Sequence, residues 1–158
     1  MVYEQSETPL FLVLDGITDI RNIGAIARSA ACCGVHALII PKKGSAPISA
    51  EAIKSSAGAL TKIPVCRESS LQEALGTLKL SGVQIFASSL RASKKLYELD
   101  LTVPAAIIIG SEGKGVHPTL LKIADETFII PQKSEMDSFN ASVAAGIILY
   151  ESVKQKGI

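Results

Sequence analysis

The sequence predicts an α/β fold, a mostly parallel sheet flanked by helices, and three observations predict it. Short apolar runs alternate with segments of helical period, the pattern of successive strand–helix units. The runs are apolar at nearly every position rather than at every second one, as strands covered on both faces require. The chain is 47% hydrophobic but only 4% aromatic and has no Trp, so its core must be built of Ile, Leu, Val and Ala, which let helices lie close on a sheet. Chains of 158 residues remove roughly 70% of their unfolded surface from water, so residues 1–158 are expected to form a single domain.

Strands are expected at 10–14 (LFLVL), 36–40 (HALII), 83–87 (VQIFA), 105–109 (AAIII) and 127–130 (TFII), each bounded by Gly, Pro or Asp. Helical patterns fall at 22–33, 49–60, 69–80 and 117–123, with a long closing helix at 140–155. In the first helix Ile23, Ile26, Ala27, Ala30 and Ala31 recur at helical spacing, Gly34 is the stop and Asn22 the candidate N-cap. Gly24 and Arg28 share a face, and the missing side chain at 24 leaves room for a ligand or another backbone. In the closing helix Val143, Ile147 and Tyr150 form a stripe read as core or subunit contact, and Ala141, Ala144, Ala145 and Gly146 permit close approach of another segment.

Net charge is +1, from 16 basic and 15 acidic residues, so no whole-domain field attracts nucleic acid. Any RNA contact must come from local groups: Lys42 and Lys43 in the loop PKKGSAP, Arg91 with Lys94 and Lys95, or Lys54 with Lys62 and Arg67. The ordinary reading of each is solvated surface. Cys32, Cys33 and Cys66 show no ligand spacing, which argues against a metal site and suits a reducing cytoplasm, with packing the default role of the first two. The N-terminal stretch MVYEQSETPLFLVL lacks a basic region and its apolar run is short, so neither a signal peptide nor a membrane span is expected.

Two strand-to-loop segments carry the chemistry, IIIGSEGKG at 107–115 and FIIPQKSEMDSFNASVAAGIILYE at 128–151. Each runs from a buried strand into a polar loop, where backbone amides and small side chains gather around a ligand at a strand's C-terminal end. GSEGKG lacks the ending of a P-loop and the glycine spacing of a dinucleotide fingerprint. No GxSxG is present, and His36 and His117 sit at a strand start and before Pro118, so a serine hydrolase is disfavoured. Arg28, Glu112, Ser138 and Asn140 remain, in glycine-rich or helix-start settings.

These segments resemble a known family. LDGITDIRNIGAIARSAACCGV, with Asn22, Gly24 and Arg28 as NxGxxxR, is similar to the first motif of the SpoU/TrmH family of RNA ribose 2′-O-methyltransferases. IIIGSEGKG resembles its second motif and IIPQKSEMDSFNASVAAGIILYE its third, in the family's order over residues 10–155. PKKGSAPISAEAIKSSAGAL further resembles the branch that methylates a guanosine of 23S rRNA.

The resemblance implies a C-terminal deep trefoil knot, which topology rules alone would reject. It implies S-adenosylmethionine held by Gly110, Ile130 and Phe139, with neighbouring backbone that includes Ser111, Gly115 and Pro131. Gly110 would admit close backbone approach to the ligand, while Ile130 and Phe139 would cover the adenine. The catalytic set would be Arg28, Asn22, Glu112, Ser138 and Asn140. Arg28 either removes the ribose proton or binds a phosphate and the developing alkoxide; Asn22 and Glu112 position; Ser138 and Asn140 hold ribose or phosphate. Asn22 and Ser138 could equally be helix caps.

The third motif usually begins IPM and continues through Gly to SLN, whereas this chain has Gln132, Ser134 and Phe139 there. The resemblance also implies a cytoplasmic homodimer acting on RNA; the N-terminal RNA-binding domain common in the family is absent from this chain, which is expected to be either a minimal enzyme or a catalytic domain cut from a longer one. Two rivals stay open: a tRNA ribose methyltransferase, and a noncatalytic RNA-binding or ribosome-assembly module.

Overall fold

In the computed structural model, which describes residues 2–135 and 137–158, six parallel strands form one sheet in the order β3-β2-β1-β5-β4-β6. In chain order the elements are β1 (Leu10–Asp15), α1 (Ile20–Cys32), β2 (Ala37–Pro41), α2 (Ala50–Ser55), α3 (Ala59–Lys62), β3 (Val65–Glu68) and α4 (Leu71–Leu80). They continue with β4 (Gln84–Ser88), β5 (Ala105–Gly110), α5 (Pro118–Ile123), β6 (Glu126–Phe128) and α6 (Ala141–Gln155).

The near-continuous apolar strands are explained by cover on both faces. Leu10, Leu12, Leu14, Ile107 and Ile109 point into one core with α1 and α6. Val13, Ile85, Ala106 and Ile108 point into the other with α4 and α5.

β3 was not anticipated, because VCRE carries exposed Cys66 and Arg67 rather than an apolar run. It is an edge strand, and a charged side chain there discourages pairing with another chain. The helix expected over 49–60 is two helices: Ala57 (φ 52°) and Gly58 (φ 84°) both turn left-handed and break it. Buried Ser56 joins the pieces, donating to the Ile53 carbonyl at 2.7 Å and accepting from the Leu60 amide at 3.1 Å.

The first helix starts earlier than the pattern suggested. Its N-cap is Asp19, which accepts from the Arg21 amide at 2.8 Å, and not Asn22, which lies inside the helix. The open face at Gly24 is filled by backbone, since a Cβ there would lie 2.7 Å from Ser55 Cβ and 2.9 Å from Ser55 C. Cys32 is exposed rather than packed; Cys33 is half-buried, and burial, aided by Cys32, pushes its thiol pKa up.

The small residues of α1 and α6 face each other within one chain, with Ala27, Ala30 and Ala145 fully buried. They are therefore not a free surface for a second copy. His36 fixes the start of β1, its Nδ1 accepting from the Leu10 amide at 3.1 Å while Nε2 meets Glu7 Oε2 at 2.6 Å.

The topology places two things at the C-terminal edge of the sheet. β1 lies where the strand order reverses, and its last residue, Asp15, pairs in register with Gly110 at the end of β5. A crevice at such a switch point is where open α/β sheets bind ligands. Beyond β6 the expected strand 127–130 gives way to a single bridge, in which Ile129 donates to the Lys94 carbonyl and accepts from the Leu96 amide, both at 2.9 Å. The chain is thus drawn alongside the 89–104 connection before returning to α6.

Candidate active site

The loop after β5 folds back on itself. Ser111 bridges Gly115, whose amide donates to the Ser111 carbonyl at 2.8 Å, and Asp15 Oδ2 accepts the His117 amide at 2.7 Å. Gly110 is required by this fold-back: a Cβ there would sit 2.1 Å from Gly115 C and 2.2 Å from Val116 N. The close approach seen at this glycine is to its own loop. His117 caps α5, its Nδ1 accepting the Thr119 amide at 3.2 Å and lying 2.8 Å from Thr119 Oγ1.

The loop delivers Glu112 to the start of α6. Asn140, expected among the catalytic set, is the N-cap of that helix: its Oδ1 accepts the amides of Ser142 at 2.9 Å and Val143 at 3.4 Å. With Oδ1 so committed, the amide nitrogen points the other way. Nδ2 donates to Glu112 Oε1 at 2.7 Å and to Asn22 Oδ1 at 3.2 Å. Glu112 Oε1 also accepts the Ala141 amide at 3.1 Å, a favourable place for a carboxylate at the positive end of a 15-residue helix.

Residues 22, 112 and 140, from three distant segments, therefore form one hydrogen-bonded cluster. It borders a polar cleft of about 290 Å³ lined by Gly16, Ile17, Thr18, Asp19, Asn22, Ser111, Glu112 and Ala141. Glu112 Oε2 makes no hydrogen bond among the described residues and remains an acceptor for a ligand hydroxyl.

Arg28 and Ser138 do not join the cluster. Arg28 is exposed on α1 and makes no hydrogen bond or ion pair among the described residues. Six residues beyond Asn22, it is displaced by about 9 Å along the helix and about 120° around it. Ser138 is exposed and caps nothing, Asn140 having taken that role.

The residues expected around a cofactor divide in two. Ile130, Pro131 and Phe139 meet in an apolar cleft of about 500 Å³, whose other walls are Leu96, Tyr97, Ile147, Tyr150 and Glu151. Ser111 lines the polar cleft instead, while Gly110 and Gly115 shape the loop and line neither. The α6 stripe, read as core or subunit contact, contributes Ile147 and Tyr150 to the apolar wall; Val143 is 49% exposed. Leu96 and Tyr97 had no signal in sequence, since only the Ile129 bridge brings their connection here. Gln132, which replaces the usual Met, closes the third loop by donating from Nε2 to the carbonyls of Ser134, at 2.7 Å, and Asp137.

An adenosyl group fits this cleft on two counts. Its walls are aliphatic and aromatic, and half-buried Ile130 leaves both its N–H and its C=O without a partner among the described residues. Unpaired backbone beside an apolar slot matches a purine, with apolar faces and a polar edge. No group of three His, Cys, Asp or Glu is placed to hold a metal, and no helix is long and apolar enough to cross a membrane, among the described residues.

Residues 9–150 match the model of the SpoU rRNA Methylase family. A protein of Vibrio parahaemolyticus named 23S rRNA (guanosine-2′-O-)-methyltransferase RlmB is 39% identical over 155 residues, covering 98% of this chain and 63% of its own length. The chain thus spans less than two thirds of that relative. Among solved structures, the SpoU methyltransferase AviRb of Streptomyces viridochromogenes in complex with AdoMet superposes with a TM-score of 0.89 at 29% identity, over 95% of this chain and 61% of that one. A structure described as giving insight into 2-OH methylation of C/U34 on tRNA superposes with a TM-score of 0.83 at 27% identity, over 94% of this chain and 96% of that one.

Proposed function

The chain belongs to the SpoU rRNA methylase family, and from that premise we propose that it transfers a methyl group from S-adenosylmethionine to a ribose 2′-hydroxyl of structured RNA, a guanosine of 23S rRNA by likeness to the RlmB proteins. The observation that carries the reading is the Asn22–Asn140–Glu112 cluster, which ties one residue from each motif into a single site. The knot belongs to the same proposal, supported by the Ile129 crossing beside the 89–104 connection.

When bound, the cofactor supplies an electrophilic methyl on a sulfonium. Ile130, Phe139, Leu96 and Ile147 would exclude water from the adenosyl group, and the open backbone of Ile130 would be available to its polar edge. Asn22, Glu112 and Asn140 orient the ribose; their mutual bonds hold the rotamers before substrate arrives, which lowers the entropy lost on alignment. A ribose hydroxyl is a poor nucleophile near neutral pH, so its proton must be drawn off as the bond forms. Arg28 serves as the cation for the developing alkoxide and an adjacent phosphate, because its planar guanidinium presents a fork of N–H donors and no acceptor.

Arg28 lies apart from the cluster within one chain. We take the active form as a cytoplasmic homodimer, in which exposed Val143 and Tyr150, 49% and 67% accessible, meet a second copy that presents its own Arg28. A tRNA substrate is the second reading, by likeness to the neighbour described as giving insight into 2-OH methylation of C/U34 on tRNA.

Calorimetric titration with S-adenosylmethionine tests the proposal. Saturable binding by wild type, weakened at least tenfold by Phe139→Asp, is expected. A folded wild type that takes up none would end the methyltransferase reading.

A further inference from the structure

Glu151 is the one charged side chain lining the apolar cleft, and only 16% of it is exposed. Its orientation is set by a neighbour. Gln155 Oε1 accepts the amide of fully buried Leu101 at 2.7 Å, so its NH₂ group must face the other way, where Nε2 donates to Glu151 Oε1 at 3.0 Å. Leu101 belongs to the same 89–104 connection that supplies Leu96 and Tyr97 to the cleft. The carboxylate is thus held in place by the segment that walls the site. Oε2 has no hydrogen bond among the described residues; Lys154 Nζ stands 3.9 Å away but is 68% exposed, so water and salt screen much of its charge.

A fixed carboxylate in an apolar wall distinguishes ligands by charge. Resting on the methyltransferase reading, we propose that Glu151 is a specificity residue that favours the sulfonium cofactor over its spent thioether. Methyl transfer breaks the sulfur–methyl bond, its electron pair stays on sulfur, and the ligand loses one positive charge, while the hydroxyl proton leaves to solvent. Attraction to Glu151 vanishes in that step. Coulomb attraction needs no direct contact: at an effective dielectric of 20 to 40, one unit charge about 10 Å away would be worth about 4- to 16-fold in affinity. The gain goes to the substrate form alone and eases release of the product.

The test is titration of wild type and Glu151→Gln with S-adenosylmethionine and with S-adenosylhomocysteine. Glu151→Gln keeps the shape and an acceptor for Gln155. The expected result is an about 4- to 16-fold weaker hold on S-adenosylmethionine with S-adenosylhomocysteine unchanged, and the latter binding also reports that the variant is folded. Equal loss for both ligands, or no change in their ratio, would overturn the inference and leave the methyltransferase reading standing. A folded wild type that binds neither ligand would overturn both.

Discussion

Asn140 holds two tasks that can be separated by substitution. As N-cap it satisfies two amides of α6, and as bridge it donates to Glu112 and Asn22. Asn140→Ala removes both. Loss of a cap costs about 1 kcal/mol. The two donated bonds lie at an exposed site and add about 0.5–1 kcal/mol. A total of about 1.5–2 kcal/mol corresponds to a fall in Tm of about 3–8 °C for a chain of this size. Asn140→Ser restores an oxygen to cap the helix but cannot reach back to Glu112. It should therefore melt only about 1–4 °C below wild type yet lose about 100-fold in methyl transfer, the scale set by a misplacement of about 1 Å. Thermal denaturation and transfer of labelled methyl to ribosomal RNA supply the two readouts. Full activity in Asn140→Ser would show that the bridge does not position the site, and a wild-type melting temperature in Asn140→Ala would refute the capping argument.

Gly110→Ala drives a methyl group into the backbone of Gly115 and Val116, so the loop carrying Glu112 must open; a loss of about 2–4 kcal/mol in urea denaturation is expected, with cofactor binding lost in the fraction that folds. Lys156 provides a pH test, since burial pushes its pKa below the usual lysine range. Its charge is disfavoured in the fold, a penalty fully present below the lowered pKa and relieved as pH rises through it toward the unfolded value. Measured by Tm, the stability of wild type relative to Lys156→Met should therefore improve as pH rises toward the ordinary lysine value of 10.5, and a flat difference would contradict the burial argument.

The apolar strands and the three motif loops were legible because their signals are local: runs of Ile, Leu and Val, and polar clusters at strand ends. What was hidden depends on distance in sequence. The VCRE strand is too polar to announce itself and pairs only because β2 offers an edge. The break at Ala57 rests on a non-glycine residue in a left-handed conformation, which no propensity indicates. The choice of Asp19 over Asn22 as cap released Asn22 to join Asn140, and the covering role of Leu96 and Tyr97 arises from the chain crossing at Ile129. The clash that reserves position 110 for glycine comes from Gly115 and Val116 folding back, which the glycine-rich composition of the loop does not by itself reveal.

The central claim is that three motif loops make one ribose-methylating site that depends on Arg28. The most direct measurement is mapping of 2′-O-methyl groups, by resistance to alkaline cleavage, in unmodified ribosomal RNA incubated with S-adenosylmethionine and either wild type or Arg28→Ala. Arg28 is exposed and unpaired among the described residues, so the variant should melt within about 0.5 kcal/mol of wild type. One protected guanosine is expected with wild type, and an at least 100-fold slower signal with the variant. A protected site that forms equally fast without Arg28, or no protected ribose with a folded, cofactor-bound wild type, would contradict it.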